Sequence, residues 1–491
     1  MRPGAATAVT TTQKEHPQGR SFGLTFGQIL VFAAIVLPAV VTLRASMATV
    51  DLAYQIRAGE IMLDSHHVLR TDPFTFTAFG RPWLDQQWGA QVLLAQIFRW
   101  GGWELLALTR AAVAAASFWL LYVACRARGA GVRPAAWLSL GGLLVAIYGF
   151  APRPQMFGFL LFAMTLAVVS ERDRRPRLQW ILPLIVIVWA NVHGSFVLGP
   201  VVLVLAWLED RHRHVASSRT ILVTIASIAA ATVNPFGLRV WQYVVELSSN
   251  AQVRNTIEEW QPPKITSASG FVFFVSVAVV AVIALRHRRE IAWPRALGLA
   301  VFFLLGVTAI RGVIWWALAA PFLLADLFPG RSTRDEPRVV NTAIAVVLVG
   351  VGFMLLPWFR QTFASTANSG TVSDGLLSYA PNAYTTRLAD AVPPGTRVFA
   401  PEIWASWFEL AVPQFPVMID PRIEIFADAV WRDYDDISHA SEGWQQVVAR
   451  WDIGALALST EQQSDLIAVI EKDPSWTTVY ADGDGVLLVQ A

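Results

Sequence analysis

An aspartate stands just beyond the first long uncharged run of the chain. In "TLRASMATVDLAYQIRAGE", residues 42–60, Asp51 opens a stretch with the spacing of an amphipathic helix. A carboxylate placed there can take a proton from an attacking hydroxyl group. Further polar residues recur where later apolar runs end: Arg153 and Gln155 in "PRPQ", Asn191 and His193 in "WANVHGS", Asn234 in "VNPFG", Glu258, Glu259, Trp260 and Gln261 in "IEEWQPP", and Arg311 in "AIRGVIWW". Guanidinium and imidazolium groups answer anionic charge, while amides can hydrogen-bond a polyol. Each residue also has a plainer use. Asp51 suits a helix N-cap, His193 beside Gly194 suits a packed hinge, Arg153 and Arg311 can snorkel to lipid headgroups, and Glu258 and Glu259 suit a solvated loop.

What must position them is a set of membrane helices. Of 491 residues, 55% are hydrophobic and 15% charged, with a mean hydropathy of +0.47, outside the range of water-soluble domains. Apolar runs approach the roughly 17 to 25 residues that a hydrocarbon core requires, and a spanning segment must satisfy its own backbone hydrogen bonds, which makes them helices. The expectation is about eleven spans: 26–43, 103–125, 135–150, 155–170, 178–192, 196–208, 220–233, 270–285, 294–310, 313–328 and 339–359. Alternate loops, "CRARGAGVRP", "ERDRRPR", "EDRHRHVASSRT", "RHRREIAWPR" and "PGRSTRDEPR", are basic. These face the cytoplasm by the positive-inside rule. The polar residues above then gather at the outer face of a multi-pass protein of the cell inner (plasma) membrane. Such one-sided placement of costly groups indicates a polar cavity open to that side.

Residues 1–25 read as a disordered cytoplasmic lead and residues 26–360 as the transmembrane domain. The latter includes an external segment, 44–102, whose two amphipathic stretches are expected to lie in the interface and roof a cavity. Leu52, Ile56 and Leu63 mark one apolar face; Trp88, Val92, Ala95 and Phe98 mark the other. A linker, 361–375, leads to an outer α/β domain, 376–491. From residue 361 onward the chain carries 18 Asp and Glu against 6 Lys and Arg, so a small net charge hides a basic membrane half and an acidic tail. "TRVFAP", "FPVMID", "IGALALS", "WTTVYA" and "GVLLVQA" read as buried strands between helical stretches, and "ADGDG" as the turn of a terminal hairpin. Asp420 and Arg422 read as a structural pair. The sequence contains no P-loop, no GxGxxG after a strand, no HExxH and no GxSxG, which argues against an ATP-driven pump. Cys125 is the single cysteine, so no disulfide or Cys-based metal site forms within one chain. His66 and His67 have no identifiable partners for a metal.

Taken together, "DLAYQIRAGE", "RTDPFTFTAFGRPWLDQQW", "RPQMF", "WANVHGSF", "NPFG", "EEWQ" and "FPVMIDPR" resemble the GT-C superfamily of bacterial multi-span glycosyltransferases, relatives of the dolichyl-phosphate-mannose protein mannosyltransferases. The resemblance covers nearly the whole chain. It implies sugar transfer outside the membrane from a polyprenyl-phosphate donor to a glycan, lipid or protein acceptor, with the bilayer as partner and no nucleic acid. The parts implied are Asp51 as general base, Arg153, His193 and Arg311 on the phosphate, Gln155, Asn191 and Asn234 as sugar or scaffold contacts, and Glu259 and Trp260 near the sugar. Direct attack would invert configuration. The sequence also departs from the family pattern. Many members carry Trp-Trp-His after the first-loop Asp-Leu, where Ala53, Tyr54 and Gln55 stand, and His-Glu before the second-loop Trp, where Gln86 and Gln87 stand. The cofactor is therefore left open: a divalent cation has no clear ligand set, and a second carboxylate would be Asp85 or none. A flippase of lipid-linked glycans, and a catalytically silent protein that binds partners through its outer domain, are the alternative readings.

Overall fold

The protein, represented by a computed structural model, is described for residues 23–249, 257–330, 337–359 and 376–491. The lead expected over 1–25 lies outside the described residues except for its last three, and the linker 361–375 lies outside them entirely. Helix α1 (Phe26–Arg44) starts at a capping box. Gln28 N donates to Thr25 Oγ1 at 3.2 Å and Thr25 N donates to Gln28 Oε1 at 2.9 Å, satisfying first-turn donors that have no intrahelical partner. Its other end is closed by Arg110, buried on a neighbouring helix, which donates to the carbonyls of Ala45 at 2.7 Å, Ser46 at 2.8 Å and Thr42.

Helices α2 (Thr49–Ser65), α3 (Trp88–Ala127), α4 (Val132–Ala146), α5 (Gln155–Ser170), α6 (Leu182–Ala190), α7 (Leu198–His212), α8 (Ser218–Ala230) and α9 (Arg239–Ser249) follow. Beyond them come the helices Ala268–Arg286, Trp293–Thr308, Val313–Leu324 and Val339–Met354. Among the described residues, four helical stretches are long and apolar enough to cross a membrane: Phe26–Arg44, Trp88–Ala127, Ala268–Arg286 and Ile310–Leu327. Several more are apolar and shorter. Ala268–Arg286 exposes Phe271, Val275, Val279 and Val282, and Val339–Met354 exposes Val346, Val347 and Phe353, a lipid-facing surface of the kind only a bilayer rewards. The protein is thus a helical membrane protein. Helix length establishes the bundle rather than the expected number of eleven crossings.

Two expected elements differ. The apolar stretch from Trp88 and the span from 103 form one helical element, α3, bent where Gly101 and Gly102 leave helical geometry; Gly102 takes φ +60°, a backbone state that glycine adopts freely. Helix α2 has its apolar face covered by protein. Its Leu52, Ala53, Ile56 and Ala58 are fully buried, and it packs between α3 and the helix Glu402–Ala411 of the C-terminal domain. Gly59 permits that approach, because a Cβ there would stand 2.1 Å from the carbonyl oxygen of Gln91.

The C-terminal domain is a four-stranded sheet ordered β3 (Arg397–Phe399), β4 (Ile453–Ser459), β6 (Gly485–Gln490), β5 (Trp476–Ala481). The pair β3 and β4 is parallel; the other pairs are antiparallel. Alternate residues of β4 and β6 face opposite ways. Leu456, Leu458 and Leu488 meet Trp431, Ile437 and Trp444, while Ala455, Ala457 and Leu487 meet Tyr384, Trp404 and Phe408. Asp482 shapes the β5–β6 hairpin turn, accepting from Asp484 N at 2.9 Å. The expected strand "FPVMID" is reduced to bridges from Val417 to Val398 and to Thr75 of the first loop. Pro416 lies within it and Pro421 follows it, and neither can donate to a ladder.

One tie between the domain and the membrane part lies at the start of α2. Just after α1, β1 (Met47–Ala48) pairs in parallel with β2 (Leu377–Ser378). Thr49 Oγ1 donates to the carbonyls of Ser378 at 2.8 Å and Tyr379 at 2.6 Å, Ser406 Oγ donates to Thr49 O at 2.9 Å, and Trp407 stacks on Trp103 with centroids 5.8 Å apart.

At the opposite end of the bundle the basic loops converge on a paired cluster. Arg128 meets Glu209 at 2.8 Å, Arg172 meets Glu209 at 2.8 Å and Asp210 at 2.9 Å, Arg295 meets Asp326 at 2.6 Å, and Thr220 donates to Asp210 at 2.8 Å.

Candidate functional site

Arg153, Gln155, Glu259 and Arg311 line one hollow near the sheet domain, and Asp51 joins it through Arg153. Asp51 is the third residue of α2. Ala48 stands at the N-cap, so Asp51 does not cap the helix; its charge sits in the first turn, where the helix dipole favours an anion. The anchoring of Thr49 fixes that turn. Arg153 stands between Pro152 and Pro154, immediately before α5. Glu259 and Trp260 lie in a 3-10 turn, Glu258–Trp260, and Arg311 in another, Ile310–Gly312. Ile310 N donates to Gln261 O at 2.9 Å, which holds the two turns side by side. Gly312 is required there: a Cβ would fall 1.8 Å from the carbonyl oxygen of Leu305.

Arg153 is the hub. Its Nη1 donates to Asp51 Oδ2 at 3.0 Å and its Nη2 to Glu259 Oε1. Burial alone would lower the basicity of the guanidinium, but Glu259 and Asp51 together hold it protonated more firmly than usual. Burial pushes the Glu259 carboxyl up, and Arg153 more than reverses this, leaving it below the usual carboxylate range. Arg311 lies over the Trp260 ring, 4.4 Å from its centroid, and forms no ion pair among the described residues. Arg153, Gln155, Glu259 and Arg311, with Tyr148, Gly149 and Ile314, line a hollow of about 80 Å³. Below it, and sharing Val145 with it, runs an apolar groove of about 720 Å³ between α4, Ala268–Arg286 and Val313–Leu324, lined by Trp137, Phe271, Val275, Val279 and Trp316 among others.

His193 lies near this group, and burial, then Arg311 and Arg153, lower its pKa to about 3. It is therefore neutral at physiological pH, and its Nδ1 accepts from Ser195 N at 3.1 Å. Asn191 serves the scaffold: it accepts from Trp88 Nε1 at 2.9 Å and donates to the carbonyls of Ile187 and Val233, both at 2.8 Å. Asn234 likewise shapes its own turn, accepting from Phe236 N at 2.7 Å and donating to Ala231 O at 2.7 Å. Asp85 is 2% exposed and accepts from Gln91 Nε2 at 2.8 Å. Burial raises its pKa to about 8, so it is a neutral acid at pH 7. The glutamines that replace the family pattern bond among themselves and to backbone. Gln55 Nε2 donates to Tyr54 Oη at 2.7 Å and Gln87 Oε1 at 3.1 Å, and Gln86 Nε2 donates to Ala190 O at 2.8 Å.

Sequence reasoning missed the contribution of the C-terminal domain. Arg422 is buried, bonded to Asp420 and, at 2.6 Å, to Asp72 of the first loop. Its guanidinium lies among the rings of Trp83, Phe74 and Tyr54 at 4.4, 4.9 and 5.6 Å. Two residues on, Glu424 accepts a long hydrogen bond, 3.4 Å, from Tyr243 of α9; burial raises the pKa of Glu424. The sole sequence signal for it was its place beside "FPVMIDPR".

A divalent cation does not fit these residues. Asp51 and Glu259 are both committed to Arg153, and no group of three His, Cys, Asp or Glu side chains suited to a metal forms among the described residues.

No family model and no curated protein matches the sequence. Among solved structures, the chain is similar to the oligosaccharyltransferase AglB of Archaeoglobus fulgidus in complex with an inhibitory peptide and a dolichol-phosphate. The TM-score is 0.61 at 12% identity, over 94% of this chain and 74% of that one. The Archaeoglobus fulgidus oligosaccharyltransferase in the apo form gives 0.55 at the same identity and coverage. The likeness is one of fold: a helical bundle that carries a C-terminal domain. It does not single out the mannosyltransferase branch that the sequence resemblance named.

Proposed function

We propose that the protein is a glycosyltransferase of the cell membrane that moves a sugar from a polyprenyl-phosphate-linked donor to an extracytoplasmic glycan, lipid or protein acceptor. The observation that carries this reading is the guanidinium of Arg311, which forms no ion pair among the described residues and is propped on Trp260, near an apolar groove between membrane helices. A prenyl chain suits the groove, a phosphate suits the guanidinium, and the sugar then falls between Arg311 and Asp51. The complex of the archaeal neighbour with a dolichol-phosphate supports a lipid phosphate as ligand.

In this reading the acceptor hydroxyl attacks the anomeric carbon while Asp51 takes its proton. Asp51 Oδ2 is held by Arg153, and Oδ1 is the oxygen left for that proton. The bond from the anomeric carbon to the phosphate oxygen breaks, and its electron pair leaves with the lipid phosphate. Arg311, with Arg153 behind it, stabilises the growing charge in a site of low dielectric. A single displacement inverts configuration, and the sheet domain covers the acceptor side from outside the membrane.

The test is transfer from a labelled polyprenyl-phosphate sugar in membranes containing Arg311→Ala. Loss of a donor to developing charge is expected to lower the rate ~10²- to 10³-fold. Wild-type turnover in that variant would overturn the role of the guanidinium and, with it, the lipid-phosphate donor.

A further inference from the structure

Asp51 and Glu259 come from parts of the chain more than two hundred positions apart in order, yet they converge on the two ends of one guanidinium. Two converging carboxylates are the usual start of a divalent-cation site, and a hard cation of that kind requires about six oxygen ligands at ~2.0–2.6 Å. Here a planar organic cation separates them. It is also built in: Pro152 and Pro154 restrict its backbone, Arg153 N donates to Ala151 O at 2.9 Å, and Met156 N donates to Arg153 O at 2.9 Å. The remaining polar groups nearby are engaged elsewhere. Asp85 is on Gln91, Asp72 and Asp420 are on Arg422, Glu424 faces Tyr243, and the Nδ1 of His193 is on the Ser195 backbone. A metal entering this hollow would have to displace Arg153 and, among the described residues, would find no group of three carboxylate, imidazole or thiol ligands.

Resting on the glycosyltransferase reading, we propose that Arg153 is the resident cation of this centre in place of a divalent metal, and that its removal uncovers a divalent-cation site formed by Asp51 and Glu259. The guanidinium holds Asp51 Oδ2 in place and carries positive charge toward the leaving phosphate without needing a metal to be loaded. The price is geometric: a guanidinium cannot coordinate substrate oxygens as an open metal can, so orientation of the phosphate falls to Arg311.

The experiment uses the full chain in nanodiscs and Mn²⁺ alone, with binding read by electron paramagnetic resonance and calorimetry. Wild type is expected to bind no stoichiometric Mn²⁺. Arg153→Ala is expected to bind one, at least ~10-fold tighter than wild type, a difference of ~1.4 kcal/mol, and Arg153→Ala/Asp51→Asn to lose it. A wild-type protein that binds one Mn²⁺ and releases it on Glu259→Gln would overturn the proposal. That arm needs no change at Arg153 and so survives any folding failure of the alanine variant; a folded Arg153→Ala with no gain in Mn²⁺ binding would refute the uncovered site. Undiminished transfer with Arg311→Ala would strike the enzyme reading, whereas these binding results report on Arg153 whether or not sugar is transferred.

Discussion

The two ends of the bundle spend similar charges differently. At the far end, Arg128, Arg172 and Arg295 are matched against Glu209, Asp210 and Asp326, and the side chains of Arg172 and Asp210 are 5% and 4% exposed. At the end beneath the sheet domain, Arg153 joins Asp51 and Glu259 whose side chains are 31% and 37% exposed, and Arg311 has an aromatic ring instead of a carboxylate. Full pairing with burial holds helices together; a cation left on an aromatic face beside half-open carboxylates leaves charge for a ligand. Residue type alone does not separate a structural cluster from a reactive one. Degree of satisfaction does.

That contrast can be broken by substitution, and the largest effect is expected at Asp51. Asp51→Asn keeps an acceptor for Arg153 but cannot take a proton, so sugar transfer in membranes should fall ~10²- to 10⁴-fold with expression unchanged; undiminished transfer would remove Asp51 as the base. Arg172→Met at the far end should do the reverse. It strands Asp210 in a buried setting and should cost ~3–5 kcal/mol of stability, read as a lower melting temperature in detergent, while transfer per folded molecule stays at the wild-type level. A comparable loss of turnover per folded molecule would mean that the two ends are coupled.

Asp85 sharpens the comparison through pH. Its folded pKa, about 8, lies above the ordinary carboxyl value, so its neutral form stabilises the fold fully below about pH 4, and that contribution is lost as pH rises toward 8, with a slope of at most ~1.4 kcal/mol per unit. Asp85→Asn should flatten the decline in melting temperature between pH 5 and 8; an unchanged slope would place the titration elsewhere. The smallest effect is expected from Trp260→Ala, which removes the face under Arg311. A loss of ~0.5–1 kcal/mol should appear as a few-fold rise in KM for the lipid donor with little change in kcat. A large fall in kcat would instead make the ring a contact of the reacting sugar.

Much of the hollow was readable in the sequence because charge at the end of an apolar run is costly and therefore conspicuous. Asp51, Arg153, Glu259 and Arg311 all stand at such breaks, and the alternation of basic loops placed them at one end together. Their partners were less visible. Glu259 reads as a solvated loop charge until Arg153 is seen across from it, a contact between residues 106 positions apart. Glu424 and Tyr243 sit in an irregular loop and an amphipathic helix, where no period marks them. Arg110 is a lone charge inside an apolar run, and nothing local shows that it closes the end of α1. Helix α2 has the amphipathic pattern of an interfacial helix because burial against a soluble domain and burial in lipid demand the same apolar face. "FPVMID" has a strand's composition, yet Pro416, Pro421 and the competing first loop leave it only bridges.

One join has a consequence for how the protein is made. The turn bearing Asp51 is held by Ser378, Tyr379 and Ser406, residues synthesised long after α2 has left the ribosome. Its first membrane segments can insert early, but the carboxylate acquires its fixed position only when the late domain has been made and has docked. Chains truncated ahead of Leu377 are therefore expected to leave the turn that bears Asp51 unanchored.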